Sequence, residues 1–117
     1  MDIRTYEPEL LVAGDTWQWY RPQFKSFDVA TYTLSYKFVG AVGNFEFSAT
    51  ADGGRYLVDV PAAMTGPYVA GEYKWQAYIS NGSDRFTVAT GYAEVEENLA
   101  ASTVNESKLP IVKKQLD

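Results

Sequence analysis

The sequence predicts an all-β fold: an immunoglobulin-like antiparallel β-sandwich of about seven strands, followed by an extended C-terminal arm. Aromatic residues make up 15% of the 117 residues, and they occur in short runs with β-branched residues, as is typical of strands. Glycine, proline, asparagine and aspartate separate these runs, and no long stretch has the apolar period of a helix. We therefore assign residues 1–97 to the sandwich and residues 98–117 to the arm.

The first strands are predicted from alternation and from the turns that bound them. Residues 9–12 form an edge strand, and a turn then leads to a second strand over residues 15–20. The clearest strand covers residues 31–39, where apolar and polar side chains alternate. Such alternation places one face of a strand in the core and the other in solvent. The expected core face of this strand carries Tyr32, Leu34, Tyr36 and Phe38.

The middle of the chain is divided by clear turn signals. A strand is expected over residues 44–50, and the residues at 52–54, Asp-Gly-Gly, then turn the chain into a strand over residues 56–60. One helical turn is expected at residues 62–65, because proline and glycine residues bound this short stretch on both sides.

The last two strands form a predicted hairpin. They cover residues 71–80 and 85–96, and Asn81-Gly82 between them favours a type I′ turn, which needs positive φ at both positions. Gly91 in the second of these strands indicates either a bulge or a close approach of the backbone to a neighbour.

Composition excludes most catalytic and metal chemistry. The chain contains no cysteine and no histidine, which excludes disulfides, thiolate catalysis and histidine-dependent triads and removes the commonest zinc ligands. The net charge is −5, although residues 98–117 carry three basic and two acidic groups. An acidic chain is a poor nucleic-acid binder, because phosphate binding needs clustered Lys and Arg. We expect no cofactor, no bound metal and no nucleic-acid partner.

No targeting or membrane segment is predicted. The N terminus, Met1-Asp2-Ile3-Arg4, is charged, unlike the start of a secretory signal with its apolar run. No stretch approaches the roughly 18 apolar residues that span a membrane as a helix. We expect a soluble protein that is made in the cytoplasm and has no membrane partner.

Carboxylates are the remaining candidates for acid–base chemistry. Glu72, Glu94, Glu96 and Glu97 lie on or just after the last two predicted strands. A glycosidase needs two carboxylates about 5–10 Å apart in a cleft, whereas these residues fall on solvent-facing positions or at a strand end. We predict a protein without catalytic residues; the enzyme alternative requires a cleft that holds two of these glutamates.

The three tryptophans, Trp17, Trp19 and Trp75, have two interpretations. Large aromatic side chains usually anchor the core of a small sandwich. Alternatively, the three rings form a platform on which a carbohydrate stacks. Exposed, coplanar rings would favour the platform, and buried rings would favour the core.

Two segments are candidate protein interfaces. The first is a loop at the end of the second strand that combines aromatic residues with Arg21 and Lys25, and aromatic residues together with arginine are typical of interfaces. The second is a short apolar patch in the arm, flanked by lysines and suited to an extended contact with a neighbouring subunit; a frayed end without a role is the alternative. The candidate residues are Tyr20, Arg21, Phe24, Lys25 and Phe27 in the first segment and Leu109, Ile111, Val112, Lys113 and Lys114 in the second.

A distributed sequence pattern adds a family resemblance. AGDTWQW at residues 13–19 is followed by TLSY at 33–36, FSATADG at 47–53 and AGEYKWQAYI at 70–79. The pattern extends over roughly residues 8–101 and resembles small structural proteins of tailed bacteriophages and prophages. Several of those proteins carry a further C-terminal helical segment similar to the head–tail joining protein W of lambda, and the 117 residues here do not include it. The resemblance implies no catalytic residues.

The resemblance implies a non-enzymatic structural protein of the virion. It would act in the head, as a head–tail joining (neck) component or as a capsid cement or decoration protein. Its partners would be other phage structural proteins (major capsid, portal or neck proteins), and its copies would form a homo-oligomer or a symmetric array. The alternative is a carbohydrate- or receptor-binding module of a tail fibre or baseplate.

Overall fold

The structure, a computed structural model, describes residues 3–99 of the chain. Within this part the chain forms eight strands in two sheets and one short helix, so the all-β prediction is confirmed. Of the predicted arm, only residues 98 and 99 fall in the described part. The elements are β1 (Leu10–Val12), β2 (Trp17–Pro22), β3 (Thr33–Gly40), β4 (Asn44–Ser48), β5 (Thr50–Asp52), β6 (Arg55–Val60), α1 (Ala62–Thr65), β7 (Gly71–Ser80) and β8 (Arg85–Glu96).

The five-stranded sheet has the order β1-β8-β7-β3-β4, and the three-stranded sheet has the order β2-β6-β5. The pairs are antiparallel except at one edge, where β1 runs parallel to β8 with Leu10 opposite Glu94. The prediction of a purely antiparallel sandwich is therefore wrong at this edge. The chain between β1 and β8 passes through both sheets, so no hairpin connection forces the two strands to be antiparallel.

One predicted strand is divided between the two sheets. β4 pairs with β3 in the five-stranded sheet, whereas β5 pairs with β6 in the three-stranded sheet. Ala49 lies at the crossing, where its N–H donates a 2.8 Å hydrogen bond to the carbonyl of Leu34. The stretch over residues 44–50 therefore contributes to both sheets, and the strand count rises from about seven to eight.

β7 and β8 form the predicted hairpin with the predicted limits, but the turn between them is not the type I′ turn expected. Residues 81–84 connect the strands, and Asn81 is not among the described residues with positive φ. A type I′ turn needs positive φ at both central positions, so that prediction is wrong. Instead, the side-chain oxygen of Asn81 accepts a hydrogen bond from the N–H of Asp84 at 3.2 Å, and the Asn81 N–H donates to the Asp84 carbonyl at 3.1 Å.

An aromatic core fills the space between the sheets. Trp17, Trp19 and Trp75 are 2%, 0% and 6% exposed, so the interpretation as core residues is confirmed. Trp17 and Trp19 of β2 lie 6.3 and 5.9 Å from the ring of Phe47 across the core. Gly91 makes the predicted close approach, because a Cβ there would lie 2.5 Å from the Trp75 ring. The bulge lies elsewhere in β8, where the register shifts opposite the Ala77/Tyr78 step.

Thr65 fastens α1 to the turn between β1 and β2. Its hydroxyl donates a 2.7 Å hydrogen bond to the carbonyl of Asp15 and accepts a 3.0 Å hydrogen bond from the N–H of Gly14. Thr65 is fully buried, and both partners satisfy its polar atom. The helical turn predicted at residues 62–65 is confirmed, and the hydrogen bonds of Thr65 attach it to the turn between β1 and β2.

The segment before β1 runs along the edges of both sheets. The carbonyl of Arg4 accepts a hydrogen bond from the N–H of Tyr20 in β2 at 2.9 Å, and the carbonyl of Glu9 accepts one from Glu94 in β8 at 2.9 Å. Between these contacts the chain bends at Tyr6, which has a φ of 73°. The segment therefore covers part of the β2 edge before β1 joins the other sheet.

Candidate functional site

An open groove lies on the outer face of the five-stranded sheet, with a volume of about 670 Å³. It forms where β3, β7 and β8 meet the segment that precedes β1. We call this feature the acidic groove. The lining residues that matter to its chemistry are Glu9, Val39, Glu72, Lys74, Tyr92 and Glu94.

One row of side chains gives the acidic groove its charge. Glu72 of β7 lies directly opposite Glu94 of β8 in the antiparallel pair. Side chains in such pairs have Cβ atoms about 4.5–5.5 Å apart, and like charges placed there destabilise the sheet. The backbone hydrogen bond between Glu94 and Glu9 brings a third acidic residue to the rim. This row favours a positively charged ligand.

A second row adds apolar surface. Val39, Lys74 and Tyr92 lie opposite one another on β3, β7 and β8. Tyr92 is 71% exposed and Val39 is 52% exposed, although both occupy the outer face, where polar residues are usual. The Nζ of Lys74 lies 5.9 Å from the centre of the Tyr92 ring. The acidic groove thus combines aromatic and aliphatic surface with three carboxylates and one ammonium group.

The acidic groove holds two of the glutamates that the enzyme alternative requires, Glu72 and Glu94. Both are exposed, whereas a catalytic carboxylic acid depends on a desolvated pocket. Glu96 and Glu97 are also exposed, and neither lines the acidic groove. Within residues 3–99 no three acidic side chains lie close enough together to hold a metal ion. The acidic groove therefore presents two facing carboxylates that are both exposed to solvent.

Two residues of the first predicted interface lie in β2 rather than in a loop. Arg21 has the same parity as the buried Trp19, so its side chain points toward the rim of the core. Its Nε lies 3.2 Å from the Oε2 of Glu7. The ring of Tyr20 points to the opposite face, where the guanidinium of Arg55 stacks 3.5 Å from its centre. The sequence interpretation missed the inward orientation of Arg21, because it did not extend the alternation past Tyr20.

The other three residues of that segment occupy different surroundings. Phe24 lies beneath the guanidinium of Arg21, 4.8 Å away, and Lys25 is exposed. Phe27 packs against Phe86 of β8 at 5.4 Å. The structure therefore joins Phe24 to Arg21 but places Phe27 in a separate cluster. The second predicted interface, Leu109, Ile111, Val112, Lys113 and Lys114, lies outside the described residues.

A buried polar chain links the N-terminal segment to both sheets. Trp19 Nε1 donates a 3.3 Å hydrogen bond to the hydroxyl of Tyr36, which donates a 2.6 Å hydrogen bond to Oε2 of Glu7. Burial, followed by the charge of Glu7, raises the pKa of Tyr36 far above its ordinary value. The same carboxylate pairs with Arg21. The role of Glu7 is structural, and nothing in its sequence context indicated it.

Sequence reasoning named Glu72 and Glu94 but missed the rest of the acidic groove. Tyr92 was detectable, because it is an aromatic residue at an outward position between Thr90 and Glu94. Glu9 was not detectable, because its position depends on the parallel pairing of β1 with β8. No local signal in the sequence predicts that pairing.

Within the described part of the chain, the structure has no helix long and apolar enough to cross a membrane. The helix that it does contain, α1, has four residues.

Comparison with known proteins gives a fold and no family. No family model matches the chain, and no curated protein matches it either. Its fold is similar to part of a solved Bacteroides vulgatus structure named as a candidate glycoside hydrolase, with 20% identity and a TM-score of 0.55. The match covers 78% of this chain and 17% of that protein. At this identity the likeness shows the fold alone.

Proposed function

We propose that this chain is a non-enzymatic structural protein of a tailed-bacteriophage virion. It acts in the head, as a head–tail joining (neck) component or as a capsid cement or decoration protein. The sequence pattern that resembles phage structural proteins supports this role, and so does a domain whose tryptophans are all used in the core. The virion is its place of action, after synthesis in the host cytoplasm.

We also propose that the two sheets form an immunoglobulin-like sandwich. Supporting this assignment, the chain passes repeatedly between a β2-β6-β5 sheet and a larger sheet that has β8, β7 and β3 as neighbours. Connections of this kind are typical of the immunoglobulin-like class. The cysteine pair of antibody domains is absent, since the chain contains no cysteine. Aromatic packing between Trp19, Tyr36 and Phe47 occupies the space between the sheets.

The acidic groove is the observation that carries the binding role. It is open, its charged side chains are exposed, and it adds the apolar surface of Tyr92 and Val39 to three carboxylates. Exposed aromatic residues such as Tyr92 are enriched at protein interfaces, and the carboxylates would select a partner of complementary charge. Identical copies arranged by symmetry on capsid, portal or neck proteins would make each weak contact collectively strong.

A carbohydrate- or receptor-binding module is the second candidate. The buried tryptophans provide no platform, but the exposed ring of Tyr92 lies beside carboxylates that can accept hydrogen bonds from sugar hydroxyls. Calorimetry with host surface glycans, using the wild type and Tyr92→Ala, tests this role. Saturable binding that the substitution abolishes would favour the module over the structural subunit.

Quantitative mass spectrometry of purified particles tests the proposed function. The particles are those of the phage or prophage that encodes the chain, and the major capsid protein serves as the internal standard. We expect the chain in the particle at a symmetric copy number, in the hundreds for a cement protein and about 6 or 12 for a neck protein. Absence of the chain from purified particles would reject the structural role.

A further inference from the structure

We propose that the acidic groove binds the basic segment at residues 108–114 of a second copy of this chain. The segment reads KLPIVKK, with three lysines and three aliphatic residues. This inference rests on the proposed structural role and extends it, because it names another copy of the chain as a partner and the acidic groove as the receiving surface.

Charge is the first ground for this pairing. The acidic groove contributes Glu9, Glu72 and Glu94 against the single cation Lys74, and the segment contains no acidic residue. The opposed pair Glu72 and Glu94 destabilises the free sheet. An ammonium group placed between the two carboxylates turns this repulsion into attraction, and exposed pairs of this kind weaken as salt is added.

Shape and apolar surface are the second ground. Tyr92 and Val39 expose apolar surface beside the glutamates, and the segment carries Leu109, Ile111 and Val112 between its lysines. Proline at position 110 restricts its own φ, disfavours a helical conformation at the residue before it and removes one N–H donor. The segment therefore fits an extended path across the face of the sheet better than a new strand added at its edge.

The direction of the chain after β8 favours a second copy over the same copy. The side chain of Asn98 packs directly against Gly14, which lies in the turn leading from β1 to β2 in the other sheet. The Gly14 N–H donates a hydrogen bond to the hydroxyl of Thr65, at the end of α1. Because Val12 lies opposite Glu96 in the parallel pair, the chain at Asn98 continues in the direction of β8, past the end of the acidic groove at Glu94. A contact from the basic segment of one copy to the acidic groove of the next copy is heterologous, and contacts of this kind generate rings or extended arrays.

Paramagnetic NMR on the full chain tests the pairing. The chain contains no cysteine, so Gln115→Cys carries a single nitroxide label beside the basic segment. Unmodified ¹⁵N-labelled chain is mixed with spin-labelled chain of natural isotope content, so that only contacts between copies are detected. We expect the amide signals of Lys74, Tyr92 and Glu94 to lose intensity, while that of Gly53, in the turn between β5 and β6, is retained.

Two matched pairs of substitutions test the role of charge. Glu72→Gln with Glu94→Gln removes two carboxylates from the acidic groove and should reduce the signal loss several-fold. Asp52→Asn with Asp84→Asn removes the same charge from exposed turn and strand-end positions and should leave the signal loss unchanged. Well-dispersed spectra of both variants establish that each remains folded.

Three results would overturn the inference. Signal loss only when label and ¹⁵N are on the same chain would place the segment on its own sheet. No loss of NMR signal intensity, whether the label is on another copy or on the same copy, would show that the segment does not bind the acidic groove. An equal effect of the two pairs of substitutions would show the same. Because the assay uses purified chain, each of these failures is distinguishable from failure of the proposed function, which particle mass spectrometry measures separately.

Discussion

The hydroxyl of Tyr36 donates a 2.6 Å hydrogen bond to Oε2 of Glu7 and thereby ties the N-terminal segment to the centre of β3. Tyr36 is fully buried in the aromatic core, and its oxygen also accepts the indole N–H of Trp19 from the other sheet. A hydrogen bond to a carboxylate is stronger than a neutral one. This pair therefore couples the N-terminal segment to the packing of both sheets.

Tyr36→Phe is expected to lower the free energy of unfolding by about 1–3 kcal/mol, because it removes a hydrogen bond to the Glu7 carboxylate and leaves the Trp19 indole N–H without its acceptor. Urea denaturation monitored by tryptophan fluorescence measures the change. Tyr92→Phe is the matched control, since the Tyr92 ring is on the surface, and it should change the stability by less than about 0.5 kcal/mol. Equal effects of the two substitutions would contradict a structural role for the Tyr36 hydroxyl.

Stability should fall as the pH rises above the ordinary tyrosine pKa of 10.0. Burial, with the charge of Glu7, raises the pKa of Tyr36, so the folded state keeps a proton that the unfolded state loses. This contribution is fully present below pH 10 and is lost as the pH increases. Burial also raises the pKa of Tyr56, Tyr68 and Tyr73. Each of these shifts has the same sign, so each adds to the loss of stability at alkaline pH.

Urea titrations between about pH 8 and pH 11 measure this dependence. Tyr36→Phe removes one ionisable group from the core, so its stability should fall less steeply than that of the wild type over the alkaline half of this range. Parallel curves for the two proteins would show that Tyr36 does not couple folding to pH.

Gly91→Ala is expected to destabilise the domain by about 1–3 kcal/mol, because the new methyl group overlaps the ring of Trp75 and forces the core to move. Thermal unfolding measures the loss. Gly54→Ala is the control, since a Cβ at Gly54 meets no atom within 4 Å. If both variants melt at the wild-type temperature, the close contact between β8 and Trp75 is absent.

Glu72→Gln is expected to raise the free energy of unfolding of the isolated chain by about 0.2–1 kcal/mol, because it removes the repulsion from Glu94. Residues that a protein keeps for function often lower the stability of the free protein. Denaturation at low and high salt measures the effect, and the gain should shrink at high salt as the repulsion is screened. A loss of stability on substitution would show that Glu72 makes a favourable contact in the free domain.

Deletion of residues 103–117 is expected to leave a folded domain, because every strand pair described here lies within residues 3–99. The proposed structural role predicts that the shortened chain enters particles poorly. Circular dichroism checks the fold, and mass spectrometry of purified particles gives the incorporated fraction. Incorporation equal to that of the full chain would show that residues 103–117 are not needed for assembly.

The alternating strands were predictable because alternation and turn residues are local signals. The run at residues 31–39 became β3 with Leu34, Tyr36 and Phe38 in the core, and the limits of β7 and β8 were predicted to the residue. The division at Ala49 was not predictable, because pairing with two different sheets depends on strands elsewhere in the chain.

The candidate site was predictable only in part, for the same reason. Glu72 and Glu94 were recognised as carboxylates on adjacent strands, but the acidic groove also needs Glu9, which a parallel pairing brings to the same edge. Arg21 was assigned to an interface on composition, whereas its position in β2 directs it to Glu7. Residue type indicated the chemistry, and the three-dimensional pairing decided which residues share a surface.

The most direct test of the structural role is a reconstruction of the particle by electron cryo-microscopy, with the wild-type chain and with the chain lacking residues 103–117. The proposal predicts density for a two-sheet domain at symmetry-related positions on the head or neck, present with the wild type and depleted with the shortened chain. Two results would contradict docking through this domain and its C-terminal arm. One is wild-type particles that lack this density at every symmetry-related position. The other is density that stays unchanged in particles with the shortened chain.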